Sequence, residues 1–360
     1  MKNRLKVFFL LDWSSIHSRR WVKRHRESRR MVFRVCDTGR IRHRQDLWRL
    51  IFQIADFRPD FLHIHVLSAQ TFSWLKLVYP FLRLLGIRIC LTTWGSDVLC
   101  PSIGTPWFDE IRSFCRMASF ITCDSLSQRD RLIKDFSVHP DKVFLVQWGI
   151  DARIFNLDSR DSFDQHGEMR VLSSRAWCPL YNIHRIVSAY RRYLADFPDE
   201  KITLSLIRFN PDSTCRLQLE KALSSEINII QPMRQKELAC LLKHTDILVS
   251  IPDSDGTSVS VLEGLASGAM VIASDLDSIR ELIRLGFKLY LMNPARAEQG
   301  IPAAIHEIRN LSPEQIDAIR SCNLRLIEKF FSYQEHGLLM ESLYLKCLSE
   351  SVTRRRGKLT

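Results

Sequence analysis

The sequence predicts an α/β protein of two Rossmann-like domains facing a cleft, each a parallel sheet covered by helices, with a helical C-terminus. Three observations predict it. Short apolar runs alternate with amphipathic stretches along the chain, the pattern of buried parallel strands joined by crossover helices. A chain of 360 residues is too long for one ordinary core, so two domains of roughly 150 to 200 residues are expected. The polar stretch from Asn156 to Gly167 interrupts the alternation, which then resumes. It divides the chain into 1–155, 156–330 and a C-terminal segment 331–360, a helix returning to the first domain with a basic tail.

In order, KVFFLLD, MVFRV, FLHIHVL, IRICLTT, SFITC and KVFLVQ read as strands of the first half, apolar and rich in β-branched and aromatic residues. Between them LWRLIFQIADF, QTFSWLKLVYPFLRLLG and PWFDEIRSFCRMA carry helical periodicity, and DSLSQRDRLIKDF opens on an Asp/Ser cap. In the second half MRVLSS, KITLSLI, INII, DILVS, MVIAS and KLYLM read as strands, with helices YNIHRIVSAYRRYLADF and ELACLLKH between them. From Arg296 onward the pattern is helical.

Composition narrows the class. Hydrophobic residues make up 46% of the chain, enough for sizeable cores, and no stretch has the length and charge-free run of a membrane span. The ten cysteines include no Cys-x-x-Cys pair and several lie in apolar runs, which reads as reduced thiols of a cytoplasmic protein. The net charge of +12 is uneven: residues 1–60 hold sixteen Lys and Arg against six acids, a net of +10. Such clusters attract nucleic acid, anionic lipid or phosphorylated substrates. Nucleic acid is the weakest of these, because no interleaved aromatics form a recognised module. A helix over 16–30, with Ile16 and Trp21 as anchors, and the segment with Trp74 and Tyr79 suggest peripheral attachment to an anionic membrane surface.

The stretch PDSDGTSVSVLEGLASGAMVIAS (252–274) carries the chemistry. DILVS is a strand, the next residues a loop, VLEGLAS a helix with Gly268 as its stop, and MVIAS the following strand. The loop therefore lies at the carboxyl edge of a sheet, where ligands bind. Backbone N–H groups of Gly256, Thr257, Ser258 and Val259, at a helix N-terminus, suit an anion. Glu263 suits a vicinal diol such as ribose. Ser260 and Glu263 also have the spacing of a capping box, and spacing alone leaves both roles open.

The segment from Asp246 to Ile283 resembles the sugar-nucleotide segment of family 4 (group 1) glycosyltransferases, which have the GT-B fold. Relatives carry Glu, seven residues, then Glu, followed by a small-residue helix, a glycine and a strand; here the acids are Asp255 and Glu263. LLDWSSIHSRRWV, RPDFLHIHV, LTTWGSDV, QWGIDARIF and SSRAWCPLYNIHRIVSAY are similar, in order, to further family segments. The resemblance implies that Arg175 binds the donor diphosphate, Asp255 the transferred sugar and Glu263 the ribose. The loop with Ser14, Ser15 and His17 borders acceptor and phosphate. Three departures stand out: Leu180-Tyr181-Asn182 lacks the usual lysine, Trp94 replaces a donor-contacting histidine, and IRFNPDS replaces a glycine-rich turn.

Other candidates have plainer readings beside the functional one. Arg175 can be a surface arginine, His17 with Ser14 and Ser15 a helix start, and Asp97 a turn former or a substrate contact. His63 and His65 are read as pointing to opposite faces of their strand, with His65 the site candidate. Asp253-Ser254-Asp255 spells the metal-binding Asp-x-Asp of the other large glycosyltransferase fold, but two parallel-sheet halves and the downstream helix argue for GT-B, and the resemblance to that fold implies a metal-independent site. The expectation is a retaining, hexose-transferring enzyme with a nucleoside-diphosphate sugar as co-substrate and no further cofactor. Its acceptor is an envelope glycan, lipopolysaccharide included, or a lipid-linked glycan, reached from the inner face of the cell membrane. The alternative is a non-catalytic partner subunit of the same fold, binding a nucleotide sugar or another glycosyltransferase.

Overall fold

The computed structural model describes all residues except 1–3, 27, 42, 66–68, 161, 165–166, 210–226 and 357–360. Side chains of 69–74 and 350–356 are likewise outside the description, so Trp74, the tail cations and the IRFNPDS turn from 210 onward are not placed. The chain forms two compact units, residues 1–148 with 333–360, and residues 149–332. The first division thus follows Trp148, ahead of the expected hinge.

In unit 1 the strands are β1 (Leu5–Leu11), β2 (Met31–Asp37), β3 (Phe61–His65), β4 (Arg88–Thr92), β5 (Phe120–Cys123) and β6 (Val143–Leu145). They form one parallel sheet in the order β2-β1-β3-β4-β5-β6. Its helices are α1 (Ile16–His25), α2 (Arg44–Phe57), α3 (Ala69–Leu84), α4 (Ser96–Leu99), α5 (Pro106–Met117) and α6 (Leu126–Lys134). The core joins alternate strand residues such as Phe8, Leu10, Leu62 and Ile64 to Leu50, Ile54, Leu82 and Phe114 of the helices. Helix α1 ends at His25, short of the expected 30, because Met31 enters β2 beside Leu5.

Unit 2 contains β7 (Met169–Ser173), α7 (Ile183–Asp196), β8 (Ile202–Ile207), β9 (Ile227–Ile230), α8 (Gln235–Lys243) and β10 (Ile247–Ser250). There follow α9 (Val259–Ala266), β11 (Met270–Ser274), α10 (Asp277–Arg284), β12 (Tyr290–Met292), α11 (Ala297–Arg309) and α12 (Pro313–Phe330). Its parallel sheet runs β12-β11-β10-β7-β8-β9. The strand order reverses between β7 and β10, the crevice where doubly wound sheets bind ligands. The last helix, α13 (Tyr333–Arg356), belongs to unit 1. There the Tyr333 hydroxyl donates to the Arg20 carbonyl at 2.9 Å, and Tyr344 is fully buried against His63 and Phe61.

Candidate functional site

Two groups of sequence-selected residues assemble, one in each unit. In unit 2, Arg175 follows β7 by two residues and the loop 251–258 follows β10, so the strand reversal brings them to one crevice. The Arg175 guanidinium donates to Asp255 Oδ2 at 2.8 Å, Ser258 Oγ at 2.9 Å and Ser260 Oγ at 3.0 Å. It lies 4.1 Å from the centre of the Tyr181 ring, a cation–π contact that fixes the plane of the fork. Both charged partners are largely buried, 11% and 17% exposed. Burial pushes the Asp255 carboxyl above its ordinary value, opposed by the Arg175 charge and by hydrogen bonds from Arg175, Ser258 and Gly256 N–H.

The opening of α9 has a different cap from the one the spacing suggested. The N-cap is Ser258, and Ser260 lies inside the helix with its hydroxyl on Arg175, so the Ser260–Glu263 capping box does not form. Glu263 is buried one turn into the helix, 3% exposed. Val259 opens that helix after the Ser258 cap, with Gly256 and Thr257 in the loop just before it, so the positive end of the helix faces this loop. The small-residue character of α9 has a packing cause: a Cβ on Gly264 would come within 2.5 Å of Leu248 in β10. Gly268 ends the helix at φ +78°, a conformation favouring glycine.

The two carboxylates of Asp253-Ser254-Asp255 are held apart in purpose. Asp253 Oδ1 accepts from Asn182 Nδ2 at 2.7 Å, while Asp255 accepts from Arg175. Asn182 is itself in the left-handed region, φ 54°, and donates also to the Ile251 carbonyl at 3.1 Å. Ser278 Oγ donates to the Asp255 carbonyl at 3.2 Å and closes the loop from its other side.

In unit 1, the C-terminal ends of β1, β3 and β4 converge with α1 on a histidine–tryptophan cluster. Ser14 Oγ donates to Asp12 at 2.6 Å, and Ser15 Oγ caps α1 by accepting from His17 N–H at 3.2 Å. The His17 ring stands 5.7 Å from Trp94 and 5.5 Å from Trp148. His65 lies 4.9 Å from Trp21 and 6.3 Å from Trp94. Its burial, with the charges of His25 and Arg24 behind it, pushes its pKa down to about 3, so the ring is neutral. Asp97 Oδ1 accepts from Trp94 N–H at 2.9 Å and Gly95 N–H at 3.0 Å, which makes it a turn former in this structure.

Two expectations about this unit need correction. His63 and His65 share a face, with ring centres 4.5 Å apart, because residues two apart in a strand point the same way. His63 is the satisfied core histidine: Nδ1 meets the Tyr344 hydroxyl and Nε2 meets Thr92 Oγ1 at 2.6 Å. Trp21 is 1% exposed and packs on His65 and Trp148, so it is no interfacial anchor. Arg24 is drawn inward too, stacking on Trp21 and Tyr333 and donating to the Trp148 carbonyl.

Family models match both units in chain order. Residues 7–153 match the model described as Glycosyltransferase Family 4, and residues 171–310 the model described as Glycosyl transferases group 1. The chain belongs to the family 4 (group 1) glycosyltransferases. Among curated relatives of this glycosyltransferase, MMP alpha-(1->4)-mannosyltransferase of Mycolicibacterium hassiacum is 22% identical over 281 residues. That match covers 75% of this chain and 64% of the relative, so it spans less than two thirds of the relative's length. Anabaena HepE, solved in complex with UDP and glucose, superposes with a TM-score of 0.76 at 12% identity, covering 95% of this chain and 100% of that one. Sucrose-phosphate synthase of Thermosynechococcus elongatus gives 0.76 at 13% identity, covering 96% and 100%. These likenesses show the GT-B fold.

Within the glycosyltransferase, Arg175, Asp255 and Ser258 are in direct contact, with Gly256, Thr257, Val259 and Glu263 in the same loop and helix. His17 and His65 gather around Trp94 in unit 1, with Ser14 and Ser15 at the start of the α1 helix that carries His17. Sequence reasoning missed Ser260 and Trp148. Ser260 was explained by the wrong cap. Trp148 Nε1 donates to Asp124 at 3.0 Å at the end of the β6 segment, a tertiary convergence with no local pattern.

Proposed function

We propose that the chain is a retaining, metal-independent hexosyltransferase that moves a sugar from a nucleoside-diphosphate sugar to an envelope glycan or lipid-linked acceptor. The observation that carries this reading is Arg175, fixed by Tyr181, Asp255, Ser258 and Ser260 beside the N-terminus of α9 at the strand reversal. Two independent positive features, a guanidinium and a helix N-terminus, meet where a diphosphate fits. As the anomeric carbon becomes cationic, charge grows on the departing diphosphate, and these groups stabilise it without a metal. The acceptor attacks on the leaving-group face and the phosphate takes its proton. Asp255 orients both Arg175 and a sugar hydroxyl, and Glu263 accepts from the ribose.

Support for a nucleotide-sugar partner comes from HepE, whose structure holds UDP and glucose. No described helix is long and apolar enough to cross a membrane. We place the enzyme in the cytoplasm, attached peripherally through cationic surface of the first unit. A second reading, a non-catalytic partner subunit, is favoured by Leu180-Tyr181-Asn182 in place of a lysine and by the Arg175–Asp255 pair already closed. Incubating the protein with a panel of nucleoside-diphosphate hexoses in excess chelator separates them. Slow release of nucleoside diphosphate supports the enzyme; tight binding without release supports the partner.

A further inference from the structure

Helix α2 carries an apolar stripe that points out of the protein. Trp48 is 71% exposed and Phe52, one turn later, 74%, whereas Leu50 and Ile54 hold the core. Leu77, Phe81 and Leu84 repeat at helical spacing on α3, with Leu77 69% and Leu84 83% exposed. Trp48, Ile51, Phe52, Ala55 and Phe81 line one shallow depression, so the two stripes are continuous. Scattered surface leucines need no explanation, but a contiguous aromatic and aliphatic face does.

The rim of this face is cationic. Arg44 lies one turn before Trp48, Arg49 beside it, and Lys76 and Arg83 flank Leu77 and Leu84. The nearby acids are occupied: Asp46 accepts from His43 N–H at 3.0 Å and pairs with Arg49, Asp56 pairs with Arg34, and Glu110 with Lys76. Arg49 and Lys76 are thereby balanced, and the uncompensated charge of the border comes from Arg44 and Arg83, which enter no ion pair among the described residues. An apolar face with aromatic residues inside a basic border is complementary to an anionic bilayer surface. A cavity of about 460 Å³ with a mixed lining, Trp13, Ile41 and Leu50 beside Asp37, Arg40 and Asp46, adjoins the depression through Arg49 and Gln53.

We infer that the α2–α3 face is the surface by which the protein docks on an anionic membrane, with Trp48, Phe52, Leu77 and Leu84 entering the interface and the half-buried Phe81 joining the two stripes. The inference rests on the peripheral attachment proposed above and moves it away from α1, whose Trp21 and Arg24 are internal. The test is flotation with vesicles of phosphatidylcholine and phosphatidylglycerol, against phosphatidylcholine alone, at low and high salt. The wild-type protein binds the anionic vesicles and is released by salt. Trp48→Ser with Phe52→Ser lowers the partition coefficient at least tenfold, and Arg44→Glu with Arg83→Glu lowers it and flattens the salt dependence. Calorimetry with UDP on the same variants reads the donor site separately and is expected unchanged. Wild-type protein that ignores anionic vesicles overturns the attachment and this surface together. Binding that survives Trp48→Ser with Phe52→Ser but is lost when Arg19, Arg20 and Lys23 are neutralised keeps the attachment and overturns the surface. A dimer that dissociates on the same Trp48 and Phe52 changes, with no vesicle binding, makes the face a contact between two copies.

Discussion

Replacing Arg175 by alanine separates its two roles by size. In the free protein its charge is committed to Asp255 at 2.8 Å, with two serine hydroxyls accepting from the same fork. Removing it strands a mostly buried carboxylate, a change that costs about 3 kcal/mol at the low end for a broken buried pair. That is roughly 6 to 12 °C in the melting midpoint of a unit this size. Asp255→Asn together with Arg175→Ala relieves the stranded charge and should recover most of that loss. For the donor, binding exchanges one anion on Arg175 for another, so ground-state affinity should fall by roughly tenfold or less. The transition state carries more charge on the diphosphate, and losing a fixed cationic donor there costs on the order of 10² to 10³ in kcat. Single-turnover release of nucleoside diphosphate, beside calorimetry with UDP, measures both. Unchanged turnover in Arg175→Ala would remove Arg175 from the mechanism; equal losses in affinity and turnover would make it a binding residue only.

Glu263→Gln should weaken nucleoside diphosphate binding by roughly 1 to 3 kcal/mol, the cost of losing a charged acceptor; calorimetry that shows no change assigns Glu263 to packing. Gly268→Ala should destabilise unit 2 by about 2 kcal/mol, because φ is +78° and a Cβ would meet Leu157 at 2.6 Å and Arg160 at 2.9 Å. Denaturant unfolding with an unshifted midpoint would contradict that. His65 has a folded pKa of about 3, below its ordinary 6.5, so the unfolded chain takes up the proton first and stability falls as pH drops through that window. Between pH 7 and pH 5 the loss from His65 is about 2 kcal/mol, and His65→Gln should remove it from the acid limb of unit 1. An acid limb identical in wild type and variant would show that His65 is not held neutral.

What the sequence displayed well was whatever depends on period and chain order. Apolar runs such as FLHIH and DILVS became central strands, and the loop between DILVS and α9 fell at the strand reversal of its sheet. Arg175 was legible only through the resemblance of SSRAWCPLYNIHRIVSAY to a family segment, whereas the loop with Asp255 was also marked by its place between strand and helix. The misses share a physical cause, contact across elements. Ser260 has good capping spacing, yet its hydroxyl is taken by Arg175 from another loop. Trp21 looks like an anchor on a basic helix until His65 and Trp148 close over it. The opposite-face reading of His63 and His65 had no such excuse, since strand alternation puts residues two apart together. The exposed pair Trp48 and Phe52 was hidden in a run read only as a helix. Burial of Leu50 and Ile54 beside it decides which stripe faces out.

The central claim is that unit 2 holds a nucleoside diphosphate with Arg175 and the start of α9 in place of a metal. Calorimetry with UDP, ADP and GDP in excess chelator, on wild type and Arg175→Ala, tests it most directly. The account predicts one-to-one binding of at least one of the three without metal, weakened but retained in the variant. Binding that appears only when Mn²⁺ or Mg²⁺ is added would return Asp253 and Asp255 to metal ligation and contradict it, and so would the absence of binding by all three nucleotides.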